Sequence, residues 1–128
     1  MSNVVFDASA MLTLLNQEPG ADKLTPDLLR KAVASTVNLA EVHSKLVDRG
    51  LRPDNAWKAA LSSVPEISPF TPEHAKTAGS LITETPPLGL SLGDRACLAL
   101  ALSLNAPVYT ADRSWKNLKV GVRIHVIR

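Results

Sequence analysis

Short apolar runs alternate with amphipathic stretches along the whole chain. "NVVF" has the length and β-branched content of a buried strand, and "ASAMLTLLNQEPG" after it is a helix that stops near Pro19 and Gly20. "TPDLLRKAV" starts a helix with Thr25 as cap and Pro26 in its first turn, and "ASTV" beyond it is strand-like. "NLAEVHSKLVDRG" predicts a helix from Leu39 to about Arg49, capped by Asn38 with Glu41 three residues on. "RPDNAWKAALSSV" and "TPEHAKTAGSLITE" are further helices on either side of the strand-like "PEISPF". "TPPLGLS" is a loop leading into the apolar "GLSLGDRACLALALSL", and the chain closes with "PVYTAD", a short helical "RSWKNL" and the strand "VRIHVIR". The segment Leu92–Leu104 is apolar all round, which predicts a place at the centre of the fold or burial in an oligomer.

Strands alternating with helices, without long polar alternation, predict a mostly parallel sheet covered on both faces. The expected architecture is a three-layer α/β/α sandwich in a single domain spanning 1–128, with no repeat or linker to divide it. An apolar content of 45% suffices for a core without staples. No apolar run approaches the ~20 residues of a membrane span, and "MSNVVFD" is not a signal peptide, so the expected location is cytoplasmic. Cys97 is the sole cysteine, which excludes an internal disulfide or a cysteine zinc site; set among Ala and Leu, it reads as a buried, inert thiol.

One carboxylate, Asp94, stands at the front of the most apolar segment. Capping explains it in part: Ser91 and Asp94 have the spacing of a capping box, worth roughly 0.3–1 kcal/mol from the helix dipole. Its company adds a second explanation. Asp7 and Asp112 follow directly on "VVF" and "VYTA", and ligands of open parallel sheets bind where strands end and helices begin. Glu41 and Asp94 each fall three residues after an expected cap, so four acids remote in sequence can converge at one edge. Two carboxylates 4 Å apart repel by about 4 kcal/mol at an effective dielectric of 20, so such a cluster needs protons or a cation. An all-oxygen set favours Mg²⁺ or Mn²⁺ over zinc.

Charge points the same way. The net charge is only +2, from 14 Lys and Arg against 12 Asp and Glu, but gathering four acids in one place leaves the remaining surface more basic. That suits a polyanionic substrate. His43, His74 and His125 fall on different elements and read as structural, and Trp57 and Trp115 as packing anchors rather than base-stacking platforms. Among other metal-dependent α/β domains, a receiver-like phosphotransfer domain remains an alternative. "FDASA", however, has neither its paired acids nor the Asp-x-Asp of a haloacid-type phosphatase. A dinucleotide-binding domain is excluded by the absence of G-x-G-x-x-G after the first strand.

"VVFDASAML", "STVNLAEVHSKL", "GLSLGDRACLALAL" and "VYTADRSW" resemble, in order, the conserved blocks of the PIN-domain family, and most closely its VapC-like ribonuclease toxins. The resemblance implies that Asp7, Glu41, Asp94 and Asp112 are catalytic, metal-binding acids. It makes Ser9 and Thr110 hydroxyls beside the metal and Asn38 a polar residue at a helix start. Arg95 and Arg113 pair with neighbouring acids, contact RNA phosphates or are structural. The implied activity is Mg²⁺- or Mn²⁺-dependent hydrolysis of RNA phosphodiesters. The implied partners are a small antitoxin protein and a second copy of the chain. A PIN nuclease that processes RNA without an antitoxin, or a silent binding module of the same fold, are the alternatives within the family. No short motif encodes the RNA target.

Overall fold

The computed structural model describes residues 2–84 and 89–128. Five short strands, β1 (Val4–Phe6), β2 (Ala32–Ser35), β3 (Glu66–Ser68), β4 (Val108–Thr110) and β5 (Ile124–Val126), form one sheet in the order β3-β2-β1-β4-β5. Every pairing is parallel, with Val5 opposite Val33 on one side and Val108 on the other. The helices are α1 (Ala8–Asn16), α2 (Pro26–Lys31), α3 (Thr36–Asp48), α4 (Pro53–Ser62), α5 (Pro72–Ser80) and α6 (Leu92–Leu104).

The pleat sorts successive side chains to opposite faces. Val4, Phe6, Ala32 and Ala34 join a core with Met11, Val42 and Ala60 of α1, α3 and α4. Val5, Val33 and Val108 join a second core with Leu98 and Leu100 of α6. These are the two helical layers of the expected sandwich. Residues Ala96–Ala101 of α6 are all buried, which resolves the position of that apolar helix: it is central. Trp115 is fully buried in the same core, whereas Trp57 is exposed on α4, edge-on to His43. Among the described residues, no helix is long and apolar enough to cross a membrane.

Caps set the helix starts. Thr25 and Thr71 accept from the backbone N–H groups of Leu28 and His74, with Pro26 and Pro72 in the first turns. Ser91 and Asp94 form the reciprocal capping box, and α6 ends at Asn105 in the left-handed conformation. Three boundaries differ from expectation. α3 begins at Thr36 rather than Leu39, because Ser35 Oγ accepts from Val37 N and so caps the helix, leaving Asn38 inside it. β2 therefore occupies Ala32–Ser35 rather than "ASTV", and α2 stops at Lys31. α5 ends at Ser80 and passes into a 3₁₀ turn, Leu81–Thr83. Residues 85–88 of the expected loop "TPPLGLS" lie outside the described residues.

Candidate metal centre

The strand order reverses at β1, which has β2 on one side and β4 on the other. Crevices for ligands form at the carboxyl edge at such a point. A cavity of about 260 Å³ opens there, lined by Asp7, Ala8, Ser9, Leu12, Glu41, Lys45, Arg49, Asp94 and Asp112. All four acids expected from the sequence share it.

Asp7 ends β1 and caps α1. Its Oδ1 accepts from Ala10 N at 2.8 Å and from Ser9 Oγ at 2.7 Å, and Thr110 Oγ1 donates to its Oδ2. The two hydroxyls also accept from β4's exit: Ala111 N donates to Ser9 Oγ at 2.8 Å, and Asp112 N to Thr110 Oγ1 at 3.1 Å. Ser9 and Thr110 thus bind the end of β1 to the end of β4 and fix Asp7 against Asp112. Burial raises the Asp7 carboxyl to about 6; the Thr110, Ser9 and Ala10 bonds oppose the rise, and the nearby Asp94 charge adds to it.

Glu41 is half-buried on α3, and Asn38 Nδ2 donates to its Oε1 at 2.8 Å. The same amide nitrogen donates to Gly93 O at 3.1 Å, so Asn38 joins α3 to α6. Its own Oδ1 is buried and has no hydrogen-bond partner among the described residues. Burial raises the Glu41 carboxyl; the Asn38 bond opposes this, Asp94 adds to the rise and Lys45 counters it. Asp94 accepts from Ser91 N at 2.9 Å through Oδ2. Exposed Asp112 caps the 3₁₀ turn Arg113–Trp115, its Oδ1 taking Ser114 N at 2.9 Å and Ser114 Oγ at 2.7 Å. Cys97 lies buried, and its thiol is pushed up by burial first and then by Asp7, Asp94 and Glu41. Those three acids therefore act on one locality.

Capping leaves an oxygen to spare on these acids. Asp94, Asp112 and Glu41 each use one oxygen in local structure and keep the other without a hydrogen bond among the described residues. Among the described residues, no three His, Cys, Asp or Glu side chains stand as a ready-made ligand cluster. The donor set is nonetheless the chemistry of a hard divalent cation: four carboxylates and the Ser9 hydroxyl, with no His or Cys lining the cavity.

Arg95 and Arg113 are not in the cavity. Arg95 donates to Ala78 O at 2.8 Å, which ties it to α5, because one residue along a helix turns the side chain about 100° from Asp94. Arg113 lines a separate hollow with Lys116 and Arg128. The cavity's cations are instead Lys45 and Arg49, absent from the sequence expectations. Their spacing of four and eight residues from Glu41, Lys45 within α3 and Arg49 at its C-cap, is the signal that points to them.

Solved structures share this fold. A toxin–antitoxin complex from Klebsiella pneumoniae aligns at a TM-score of 0.73 and 19% identity, covering 94% of this chain and 95% of that one. DNA-bound VapBC from Salmonella typhimurium aligns at 0.77 and 16%, covering 100% of both chains. Mycobacterium tuberculosis VapC20, described as a Sarcin-Ricin loop cleaving toxin, aligns at 0.75 and 20%, covering 94% of this chain and 99% of that one. No curated protein sequence matches the chain significantly. The PIN domain family model matches residues 4–121. That span takes in every strand but the last and all four cavity acids, and by it the chain belongs to the PIN-domain family.

Proposed function

We propose that the chain is a divalent-metal-dependent endoribonuclease and the toxin of a toxin–antitoxin pair. The observation that carries the catalytic part is the cavity: four carboxylates from four separate segments line one hollow at the carboxyl edge of the sheet. Asp7, Glu41, Asp94 and Asp112 would hold Mg²⁺ or Mn²⁺. A cation of this kind activates water and neutralises charge on the phosphate and the leaving oxygen. The chain itself positions the acids. Ser9 and Thr110 orient Asp7, Asn38 orients Glu41, and the Ser91 cap and Ser114 orient Asp94 and Asp112. Such supporting partners typically contribute 10–100-fold to metal affinity or activity.

RNA as substrate and an antitoxin as partner are supported by the described activity of the VapC20 neighbour and by the toxin–antitoxin complexes of the same fold. Exposed Leu51, Trp57 and Leu61 around α4 offer apolar surface for a partner segment or a second copy of the chain.

The test is purified protein on a mixed RNA pool, with Mn²⁺ or with excess chelator, beside Asp94→Asn. Cleavage should require Mn²⁺ and fall more than ~100-fold in the variant, beyond what loss of an outer partner produces. Cleavage that persists in chelator, or a variant at full rate, removes the metal mechanism. The toxin role has its own readout: the chain expressed alone should slow growth, and a small inhibitor should co-purify when its neighbouring gene is included. Metal-dependent cleavage without either effect would make it an RNA-processing nuclease.

A further inference from the structure

Lys45 and Arg49 stand in a cavity whose other charged members are all acids. Both are exposed, and among the described residues neither forms an ion pair; the salt bridges there are Arg30 and Lys31 with Asp27, and Arg128 with Glu18. Lys45 acts on Glu41 through space, but among the described residues neither cation stands within 4 Å of a carboxylate, so neither is committed to one. Left unpaired, two positive charges oppose the entry of a cation into the same hollow. Their placement makes physical sense when an anion enters with the cation.

We propose that Lys45 and Arg49 are the phosphate-binding wall of the cavity, taking successive backbone phosphates of a single-stranded RNA on one side of the bond to be cut. This rests on the nuclease function proposed above. Glu41 and Lys45 are four residues and about 6 Å apart along the axis of α3, and Arg49, a further four residues on, is its C-terminal cap. The face thus runs from a carboxylate at the reaction centre to two cations leading away from it. A second hollow, a groove of about 620 Å³ along α3, shares Glu41 and Lys45 with the cavity and continues past Val37, Ala40, Ser44 and Asp48. Lys45 stands where the two meet, whereas Arg49 lines only the cavity and Asp48 only the groove, so a strand that passes both cations runs along the cavity wall and not down the groove. Arg95, the nearest rival for this role by sequence, is committed to Ala78 O.

The experiment compares wild type, the double variant Lys45→Ala/Arg49→Ala and the charge-preserving Lys45→Arg/Arg49→Lys, using a labelled mixed-sequence single-stranded RNA 20-mer. Cleavage is followed in Mn²⁺ at several salt concentrations, and Mn²⁺ affinity is measured by electron paramagnetic resonance without RNA. The alanine variant should raise KM on the order of tenfold or more with kcat little changed. Its KM should depend less on salt. Two lost phosphate contacts lower the log–log slope by about 1.4, so the variant gains about sevenfold on wild type between 50 and 200 mM. Mn²⁺ affinity should hold or rise, and the charge-preserving variant should restore the slope. Unchanged KM and slope in an alanine variant whose wild type cleaves would overturn the assignment, as would weakened Mn²⁺ binding, which marks a support for the acids. A wild type without metal-dependent cleavage would overturn the nuclease function itself, and this assignment with it.

Discussion

Gly93→Ala is expected to abolish metal binding and cleavage while leaving the fold intact. Gly93 sits in the first turn of α6, directly before Asp94, with ordinary backbone geometry. A Cβ built there meets both carboxylate oxygens and Cδ of Glu41 well inside van der Waals distance. Glu41 is the end of a long side chain, so it can swing away at modest cost to packing. Alanine is also the better helix residue by about 0.8–1 kcal/mol, which offsets that cost. What cannot be kept is the position of the carboxylate. Mn²⁺ affinity and cleavage should fall more than ~100-fold, because a ligand is displaced rather than a supporting group, while Tm moves by no more than a few degrees. Full activity in this variant, or loss of activity only in step with unfolding, would show that the contact between α3 and α6 does not set the site.

The same contact shows where sequence becomes legible and where it stops. Asp7, Asp112 and Asp94 stand out in the sequence because each occupies a local junction: the end of β1, the end of β4 and a capping box at the start of α6. Local rules suffice for those. The spacing from Asn38 singles out Glu41 for a different reason than the structure supplies. Ser35, Thr36 and Asn38 are all residues that cap helices, and spacing alone does not choose among them. The choice was made where β2 ends, with Ser35 taking Val37 N and Asn38 turning to Gly93, 55 residues away in sequence. Glu41 is therefore not in a capping box; Asn38 holds it from within the helix. A buried partner across two helices leaves no trace in a local pattern. Arg95 illustrates the converse, since adjacency to Asp94 in sequence placed it on another side of α6. The three layers, by contrast, follow from patterning alone, because Val4 and Phe6 against Val5 is the period of a sheet buried on both faces.

Asp7→Asn should have effects of opposite sign on activity and on stability. In the metal-free protein, burial holds the Asp7 carboxyl at about 6, above the ordinary aspartate value of 3.8. The unfolded chain therefore loses this proton at lower pH than the folded one. The group's contribution to stability is fully present below about pH 4 and is lost as pH rises towards 6, a difference of about 3 kcal/mol. Asparagine carries no such burden, and the surrounding network can accept it. Its Oδ1 keeps the bonds from Ala10 N and Ser9 Oγ, while its Nδ2 faces Thr110 Oγ1. Thr110 then accepts instead of donating and turns its hydrogen to Ser9 Oγ, 3.2 Å away. At pH 7 the metal-free variant should be more stable than wild type by on the order of 1–3 kcal/mol, a gain that vanishes near pH 4. Mn²⁺ should reverse the order by stabilising wild type through binding and leaving the variant unmoved. Cleavage should be lost more than ~100-fold. Thermal unfolding of both proteins at pH 4 and pH 7, with and without Mn²⁺, reads all of these signs except cleavage. A variant less stable than wild type at pH 7, or one that Mn²⁺ stabilises equally, would mean that Asp7 is held there for the fold and not for a cation.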